Sequence, residues 1–192
     1  MPSIDKNFIE GIVNKIGKSI NDFPTFIETG TYRGDTSGMA MHLFEDVFTI
    51  EVDTNLYNGA VNRFKNTNVS VLKGDSIEVL GTLLPSLQSK IIFWLDGHNS
   101  GPGTGVGKVD FPILEELIQI DNNLKCDDAI LMIDDIRLLG HGHPFEIDDS
   151  LKSLTVEKIL GSFEKHKIAK HWLEPSSLAS EDRLIIYLEK IS

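Results

Sequence analysis

The sequence predicts an α/β fold in which a mostly parallel sheet of seven strands carries helices on both faces. Seven short apolar runs alternate with segments whose apolar residues recur at helical spacing. The first five runs are almost continuous in Ile, Val, Leu and Phe, as in strands that a parallel sheet buries on both faces. The connections are short, and strands joined through helices in this way form right-handed crossovers. Ligands bind beyond the carboxyl ends of such strands, so the functional residues are expected there.

The apolar runs place the seven strands at residues 25–29, 47–52, 69–72, 91–95, 129–133, 167–173 and 183–188. The last two runs alternate between apolar and polar residues, which favours a hairpin at the sheet edge and an antiparallel C-terminal strand. Between the runs, Ser76 is predicted to cap a helix over 77–84. Asp110 is predicted to cap a helix that carries Ile113 and Leu117.

Length and charge restrict the class of protein. The chain has 192 residues, 41% hydrophobic and 24% charged, so we expect one domain over residues 1–192, with 1–22 forming an N-terminal helix on the core. The net charge of −11 argues against nucleic acid or an anionic membrane as the main partner. No segment approaches the roughly 20 apolar residues of a membrane span, the N-terminus lacks the form of a signal peptide, and Cys126 is the single cysteine. A cytoplasmic protein is therefore expected.

The first strand ends in a segment with two glycines, Glu28-Thr29-Gly30-Thr31-Tyr32-Arg33-Gly34-Asp35-Thr36. Glycines four residues apart let the backbone turn sharply and approach a ligand closely. A helix N-terminus follows, and its free N–H groups suit a carboxylate or a phosphate. The segment lacks the dinucleotide pattern G-x-G-x-x-G because Tyr32 replaces the second glycine. An ordinary strand-to-helix turn is therefore an alternative.

The second and third strands end in acidic residues. Glu51 lies at the end of the second strand, where an acid in this kind of unit accepts hydrogen bonds from ribose hydroxyls. The alternative is that this end only caps the following helix through Asp53 or Thr54. After the third strand, Asp75 and Ser76 could contact an adenine edge or cap a helix.

Carboxylates also follow the fourth and fifth strands. Asp96 ends the fourth strand, and Asp134 and Asp135 end the fifth. Adjacent parallel strands lie ~4.8 Å apart, so the three carboxylates would converge if these strands are neighbours. Their repulsion would require a cation between them, and oxygen ligands suit Mg²⁺, Mn²⁺ or Ca²⁺ better than zinc. The alternative is that Asp134 and Asp135 open a solvated turn.

Taken in order, these strand ends resemble a class I S-adenosylmethionine (SAM)-dependent methyltransferase with its Rossmann-like sheet. More narrowly, they resemble the divalent-metal-dependent O-methyltransferases, with the catechol-type and the macrocin-type sugar enzymes as two branches. The resemblance covers about residues 25–135 and, more loosely, the final strands. It implies that SAM and Mg²⁺, or another divalent cation, serve the O-methylation of a small hydroxylated acceptor. A homo-oligomer is a further expectation, because a domain without a lid often closes its site with a neighbouring copy.

The resemblance also implies roles for individual residues. The implied cofactor-binding residues are Glu28, Gly30, Tyr32, Thr36, Glu51, Asp75, Ser76 and Asp96, and the implied metal ligands are Asp96, Asp134 and Asp135. Gly30 would allow close approach of the methionine part of SAM, and Glu51 would bind the ribose hydroxyls. Tyr32 would lie beside the methionine amino and carboxylate groups. Asp75, with Ser76, would face the adenine.

The sequence departs from the catechol-type branch at the residue that serves as the general base. That branch has a lysine three residues after the first metal aspartate, and Asn99 stands there in this chain. His98 is the substitute catalytic candidate beside Asp96, with His143 as an alternative; a structural role is the competing interpretation. The glycine-rich residues 100–108 fail the Walker pattern and are expected to form a flexible loop on the substrate side. The alternative functions are a metal-independent methyltransferase of this fold and a non-catalytic nucleotide- or cofactor-binding protein.

Overall fold

A computed structural model describes residues 3–99, 101–141 and 150–191 of the chain. Its strands are β1 (Thr25–Thr29), β2 (Asp46–Glu51), β3 (Val69–Lys73), β4 (Ile91–Leu95), β5 (Asp128–Ile133), β6 (His166–Glu174) and β7 (Arg183–Lys190). They form one sheet in the order β3-β2-β1-β4-β5-β7-β6. Strands β1 to β5 are parallel, and β7 is antiparallel to both β5 and β6. The predicted seven-stranded, mostly parallel sheet with an antiparallel C-terminal strand is confirmed.

Each strand begins and ends within two residues of its predicted bounds. The predicted hairpin of β6 and β7 is present, but β7 lies inside the sheet and β6 forms its edge. Residues Leu184 to Leu188 of β7 are all buried, which suits an inner position. On β6, Lys167 and Lys170 are exposed, and charged side chains of this kind protect a sheet edge from pairing with other chains.

The helices connect the strands and cover both faces of the sheet. They are α1 (Lys6–Lys15), α2 (Asp35–Ala40), α3 (Thr54–Arg63), α4 (Ser76–Leu83), α5 (Ile113–Asn123), α6 (Ser150–Ser153) and α7 (Val156–Leu160), with 3₁₀ turns at Ile20–Asp22, Leu84–Ser86 and Ile136–Leu138. Helix α1 begins after Asp5, whose side chain accepts a hydrogen bond from the Phe8 N–H. It buries Ile9, Ile12 and Val13 against the sheet.

Two predicted helix caps are wrong. Asp75, not Ser76, caps α4, because its carboxylate accepts the Ile77 N–H at 3.0 Å while Ser76 is already the first helical residue. Asp110 does not cap α5, which begins after Pro112. The buried Asp110 carboxylate instead accepts a hydrogen bond from the Asn99 side-chain amide at 2.9 Å.

The core has two layers, one on each face of the sheet. Alternate residues of a strand face opposite sides, so Phe26 and Ile27 of β1 belong to different clusters. Phe26 packs with α1, whereas Ile27 packs on the side that includes Leu80 of α4 and Leu117 of α5. Full burial of each such side chain stabilises the fold by roughly 1.5–3 kcal/mol. With both faces covered, the carboxyl ends of the strands are left to form a site.

Asp121 anchors the start of β6 to α5. Its carboxylate accepts hydrogen bonds from the backbone N–H groups of Glu164, Lys165 and His166 at 2.8, 2.9 and 3.0 Å. We expect Asp121→Ala to lower the free energy of unfolding by about 3 kcal/mol, because the donors lose a charged acceptor. Urea unfolding measures this loss. The neighbouring Asn122 side chain is exposed, and Asn122→Ala is the control, with an expected change below about 0.5 kcal/mol.

The effect of Asp121 should depend on pH. Burial raises the pKa of this carboxyl, but the backbone hydrogen bonds and His166 outweigh burial and leave the pKa lowered. A lowered folded-state pKa gives stability that is present above the unfolded pKa and is lost as pH falls through the folded one. The difference between parent and Asp121→Ala should therefore shrink in acid below the ordinary aspartate pKa. Equal stability of the two at pH 7 would contradict this account.

Candidate functional site

The carboxyl ends of β1 and β4 enclose a cavity of about 340 Å³, here called the crevice cavity. These two strands are neighbours, and the chain leaves them toward β2 on one side and β5 on the other. A crevice opens at such a reversal of strand order. Six of the predicted cofactor-binding residues line the crevice cavity: Gly30, Tyr32, Glu51, Asp75, Ser76 and Asp96.

A second cavity of about 180 Å³, here called the side cavity, adjoins the first. The other two predicted cofactor-binding residues, Glu28 and Thr36, line the side cavity. Gly30, Tyr32 and Asp96 line both cavities and form the boundary between them. All of the residues that the sequence assigns to the cofactor are therefore brought to one edge of the sheet.

The turn between β1 and α2 brings backbone close to β4. Gly30, Tyr32 and Gly34 have φ angles of 82°, 48° and 75°, so the chain alternates through left-handed conformations. A Cβ at Gly30 would lie 2.4 Å from the Asp96 carbonyl oxygen, a distance that no side chain tolerates. Tyr32 is a strained residue with an exposed ring, and backbone strain of this kind concentrates at functional sites.

Glu51 holds this turn while facing the crevice cavity. Its carboxylate accepts the Tyr32 N–H at 2.8 Å and the Asp53 N–H at 2.9 Å. Burial raises the pKa of Glu51, and these backbone hydrogen bonds partly oppose the rise. Asp53 caps α3 by accepting the Asn55 and Leu56 N–H groups at 2.8 and 2.9 Å. At the same strand end, Glu51 thus supports the turn after β1, whereas Asp53 caps α3.

Glu28 lies beneath the turn. It is 3% exposed and accepts hydrogen bonds from the hydroxyls of Ser37 and Thr49. Burial raises the pKa of Glu28 to about 8. Its protonated form would remain hydrogen-bonded, so Glu28 supports the boundary between the cavities without placing a full negative charge there at neutral pH.

Both carboxylate oxygens of Asp75 already have backbone partners. One accepts the Ile77 N–H at 3.0 Å, and the other accepts the Lys108 N–H at 2.7 Å. Ser76 lines the crevice cavity from the first turn of α4. Asp75 therefore joins the loop after β4 to the end of β3, a contact that the sequence did not suggest.

His98 lies between two of the predicted metal ligands. Its Nε2 atom is 2.9 Å from Asp135 Oδ2, and its Nδ1 atom is 3.4 Å from Asp96 Oδ1. Burial would lower the pKa of His98, but the two carboxylates raise it to about 10. The imidazole is therefore positively charged at neutral pH and holds the two carboxylates together.

Two arginines, Arg137 and Arg183, neutralise the other acids. Arg137 contacts Asp135 and also Asp182, the latter at 2.6 Å. Arg183 Nε lies 3.2 Å from Asp134 Oδ1. Burial raises the pKa of Asp134 to about 7, and the neighbouring charges of Asp96 and Asp135 add to that rise. Sequence analysis missed Arg183, whose only signal is a charge at the head of an otherwise apolar strand.

The predicted metal ligands do not form one set in the described residues. Donor atoms of Asp96, His98 and Asp135 lie within 4.8 Å of one another, whereas Asp134 groups with Asp135 and Asp182. Each of the three predicted ligands has a positively charged side chain of the protein beside it: His98 for Asp96 and Asp135, and Arg183 for Asp134. The protein thus places a cation beside each predicted ligand, and the group that keeps two of those ligands, Asp96, His98 and Asp135, could hold a metal only with His98 deprotonated.

The glycine-rich loop has a defined conformation over residues 101–108. It packs against the ends of β2 and β3 through Gly105 and Gly107, and its predicted flexibility stays a prediction. The alternative base His143 lies outside the described residues.

Among the helices that the structure describes, none has the length and apolar character to cross a membrane.

Comparisons with known proteins identify the fold. No protein-family model and no curated protein matches the chain. Solved structures do match, including a SAM-dependent methyltransferase from Clostridium acetobutylicum with a TM-score of 0.60 and 12% identity over 98% of this chain and 93% of that one. SMU.1697c of Streptococcus mutans, a proposed methyltransferase solved with S-adenosylhomocysteine (SAH), has a TM-score of 0.59 and 10% identity, with both chains covered at 100%.

A further match is an rRNA methylase from Streptococcus thermophilus, with a TM-score of 0.56 and 13% identity over 100% of this chain and 99% of that one. At these identities the likeness establishes the fold. The chain therefore has the Rossmann-like fold of class I SAM-dependent methyltransferases.

Proposed function

We propose that this protein is a SAM-dependent methyltransferase that methylates a hydroxyl oxygen of a small acceptor. The observation that carries the proposal is the convergence of Gly30, Glu51 and Asp96 on one crevice cavity at the reversal of strand order. A protein of the same fold holds SAH. The sequence motifs and the geometry of the strand ends therefore support the same ligand.

The two cavities fit the two halves of the cofactor. Glu51 faces the larger cavity with a carboxylate that can accept hydrogen bonds from ribose hydroxyls. Gly30 lets the turn after β1 approach the Asp96 backbone closely, and both residues line the two cavities, so the methionine half would lie beside them at the boundary between the cavities. Thr36, in the first turn of α2, faces the side cavity next to that boundary. SAM, when bound, supplies a methyl group on a positively charged sulfur.

The acidic rim favours a small acceptor over a nucleic acid. One protein of this fold is named an rRNA methylase, so an RNA acceptor is the competing hypothesis. Asp96, Asp134 and Asp135 gather at the rim, and the whole chain carries a net charge of −11. An RNA backbone needs basic contacts to neutralise its phosphates. Two arginines beside these acids, Arg137 and Arg183, are engaged with carboxylates.

Methyl transfer is mainly a task of positioning, because the displacement needs no covalent intermediate. Asp96 lines both cavities, so we assign it as the catalytic residue that accepts the proton of the acceptor hydroxyl. His98 acts as a positioning residue that holds Asp96 by a contact of 3.4 Å and Asp135 by one of 2.9 Å. These contacts support the metal-independent alternative, and we derive no step through a metal.

Calorimetry on protein treated with EDTA tests the proposal. We expect SAH to bind with a stoichiometry of one, more tightly than NAD⁺ or ATP. Preference for NAD⁺ would indicate an oxidoreductase, and binding of none of the three would favour an interaction module. The same protein, freed of EDTA by dialysis and saturated with SAH, is then titrated with Mn²⁺. We expect no stoichiometric binding of Mn²⁺, because His98 and Arg183 already neutralise the acids; one tightly bound ion would restore the metal-assisted mechanism.

A further inference from the structure

We propose that residues 101–108 form a strap that roofs the cofactor site, and that Asp75 is a positioning residue which latches the strap and does not read the adenine. The inference rests on the proposed function, because it concerns the release of the same ligand. It assigns a role to the glycine-rich segment, and it differs from the adenine-facing role that the resemblance implies for Asp75.

The strap crosses from the end of β4 to the end of β2. Gly105 lies so close to β2 that a Cβ there would be 2.4 Å from Val52 Cγ1 and 3.0 Å from the Asp53 nitrogen. It would also lie 3.1 Å from Glu51 Oε1, the carboxylate that we assign to the ribose. The strap and the opposite wall of the crevice cavity are therefore in contact above the ribose position.

The far end of the strap is fixed to β3. The Lys108 N–H donates to Asp75 Oδ2 at 2.7 Å, and a Cβ at Gly107 would lie 2.7 Å from the same oxygen. The Lys108 ammonium group also pairs with Glu78, but both side chains are more than half exposed. Exposed pairs of this kind contribute little, so the backbone hydrogen bond to Asp75 is the main attachment.

The near end is held by a preformed turn. Asn99 donates from its side-chain amide to Asp110 at 2.9 Å and accepts the Gly101 N–H at 2.9 Å. The Thr104 hydroxyl donates to the Gly101 carbonyl at 2.7 Å. Asn99 stands where the catechol-type branch has its lysine, and here it clamps the base of the strap. The segment is thus a compact loop that can move as a unit.

We expect the strap to lift when a ligand beneath it leaves. Pro102, Thr104, Gly105 and Gly107 line the crevice cavity together with the strand ends. Lifting them breaks the hydrogen bond between Lys108 and Asp75 and separates Gly105 from Val52. Loss of the latch should therefore accelerate release of the cofactor product, whatever base the nucleoside carries.

Stopped-flow measurement of SAH release tests the latch. Asp75→Ser keeps a side chain that can cap α4 but removes the oxygen that holds Lys108. Gly105→Ala inserts a methyl group where Val52 and the Asp53 nitrogen leave no room. We expect both variants to release SAH about tenfold faster than the parent, since a hydrogen bond to a charged group stabilises by at least ~1.4 kcal/mol. Gly11→Ala is the matched control, because Gly11 is in α1 with no atom near its Cβ position.

A second ligand separates the latch from adenine recognition. S-inosylhomocysteine replaces the adenine amino group with an oxygen. We expect Asp75→Ser to accelerate release of SAH and S-inosylhomocysteine by the same factor. Loss of discrimination between the two ligands in Asp75→Ser would show that Asp75 recognises the adenine. Unchanged SAH release in both Asp75→Ser and Gly105→Ala would show that the strap does not limit release. Either result overturns the inference. Failure of the parent protein to bind SAH would instead overturn the proposed function.

Discussion

Replacing Gly30 by alanine is expected to abolish cofactor binding and to lower the free energy of unfolding by about 3 kcal/mol. The residue has a φ angle of 82°, and its Cβ position lies 2.4 Å from the Asp96 carbonyl oxygen and 3.0 Å from Gly97 Cα. These neighbours are backbone atoms and cannot rotate away. An added methyl group would therefore separate the ends of β1 and β4 at the boundary between the two cavities.

Gly17→Ala is the matched control for Gly30→Ala. Gly17 has a φ angle of 72°, but no atom lies within 4 Å of its Cβ position. Its substitution therefore carries the backbone strain, about 1–2 kcal/mol, without the steric overlap. We expect Gly17→Ala to bind SAH as the parent does in calorimetry. If Gly30→Ala also binds SAH with the affinity of the parent, the ligand does not depend on the close contact of Gly30 with Asp96.

Substitution of Glu51 is expected to have the next largest effect. We expect Glu51→Ala to weaken SAH binding about 100-fold, which corresponds to the loss of hydrogen bonds to a charged acceptor worth about 3 kcal/mol. The carboxylate is 4% exposed and accepts the Tyr32 and Asp53 N–H groups, so its removal also loosens the turn after β1. Glu51→Gln keeps the shape and should lose part of the affinity.

Asp53→Asn separates the role of Glu51 from the local charge. The Asp53 side chain caps α3, and asparagine caps helices equally well. The variant therefore removes one negative charge two residues from Glu51 and leaves the helix cap in place. We expect its affinity for SAH to match that of the parent, measured by the same calorimetry. A loss in Asp53→Asn as large as in Glu51→Ala would mean that general charge, and not a ribose contact, explains the effect.

The strands and the position of the candidate site could be predicted from the sequence because their signals are local. Runs such as 91–95 are continuous in apolar residues, and this local pattern is enough to predict a strand that is buried on both faces. Glu51 and Asp96 stand directly after such runs, so their meeting at one edge follows from parallel pairing alone. The position of β7 inside the sheet could not be predicted, since its burial depends on a partner strand far away in the sequence.

The electrostatics of the rim could not be predicted for the same reason. Arg183 is 49 residues from Asp134, and Lys108 is 33 residues from Asp75. No local pattern indicates either contact, and without them the acids at the rim suggest a metal. The incorrect cap at Ser76 has a local cause, because aspartate and serine are both good caps and Asp75 precedes Ser76 directly.

The position of bound SAH in a crystal structure tests the central claim most directly. Density for the nucleoside is expected beyond Glu51, with the ribose hydroxyls within hydrogen-bond distance of its carboxylate. The homocysteine end is expected beside Gly30 and Asp96 at the boundary between the two cavities, with residues 101–108 across the ligand. Density for SAH outside the crevice cavity would contradict the account. So would density for SAH that contacts neither Glu51 nor Asp96.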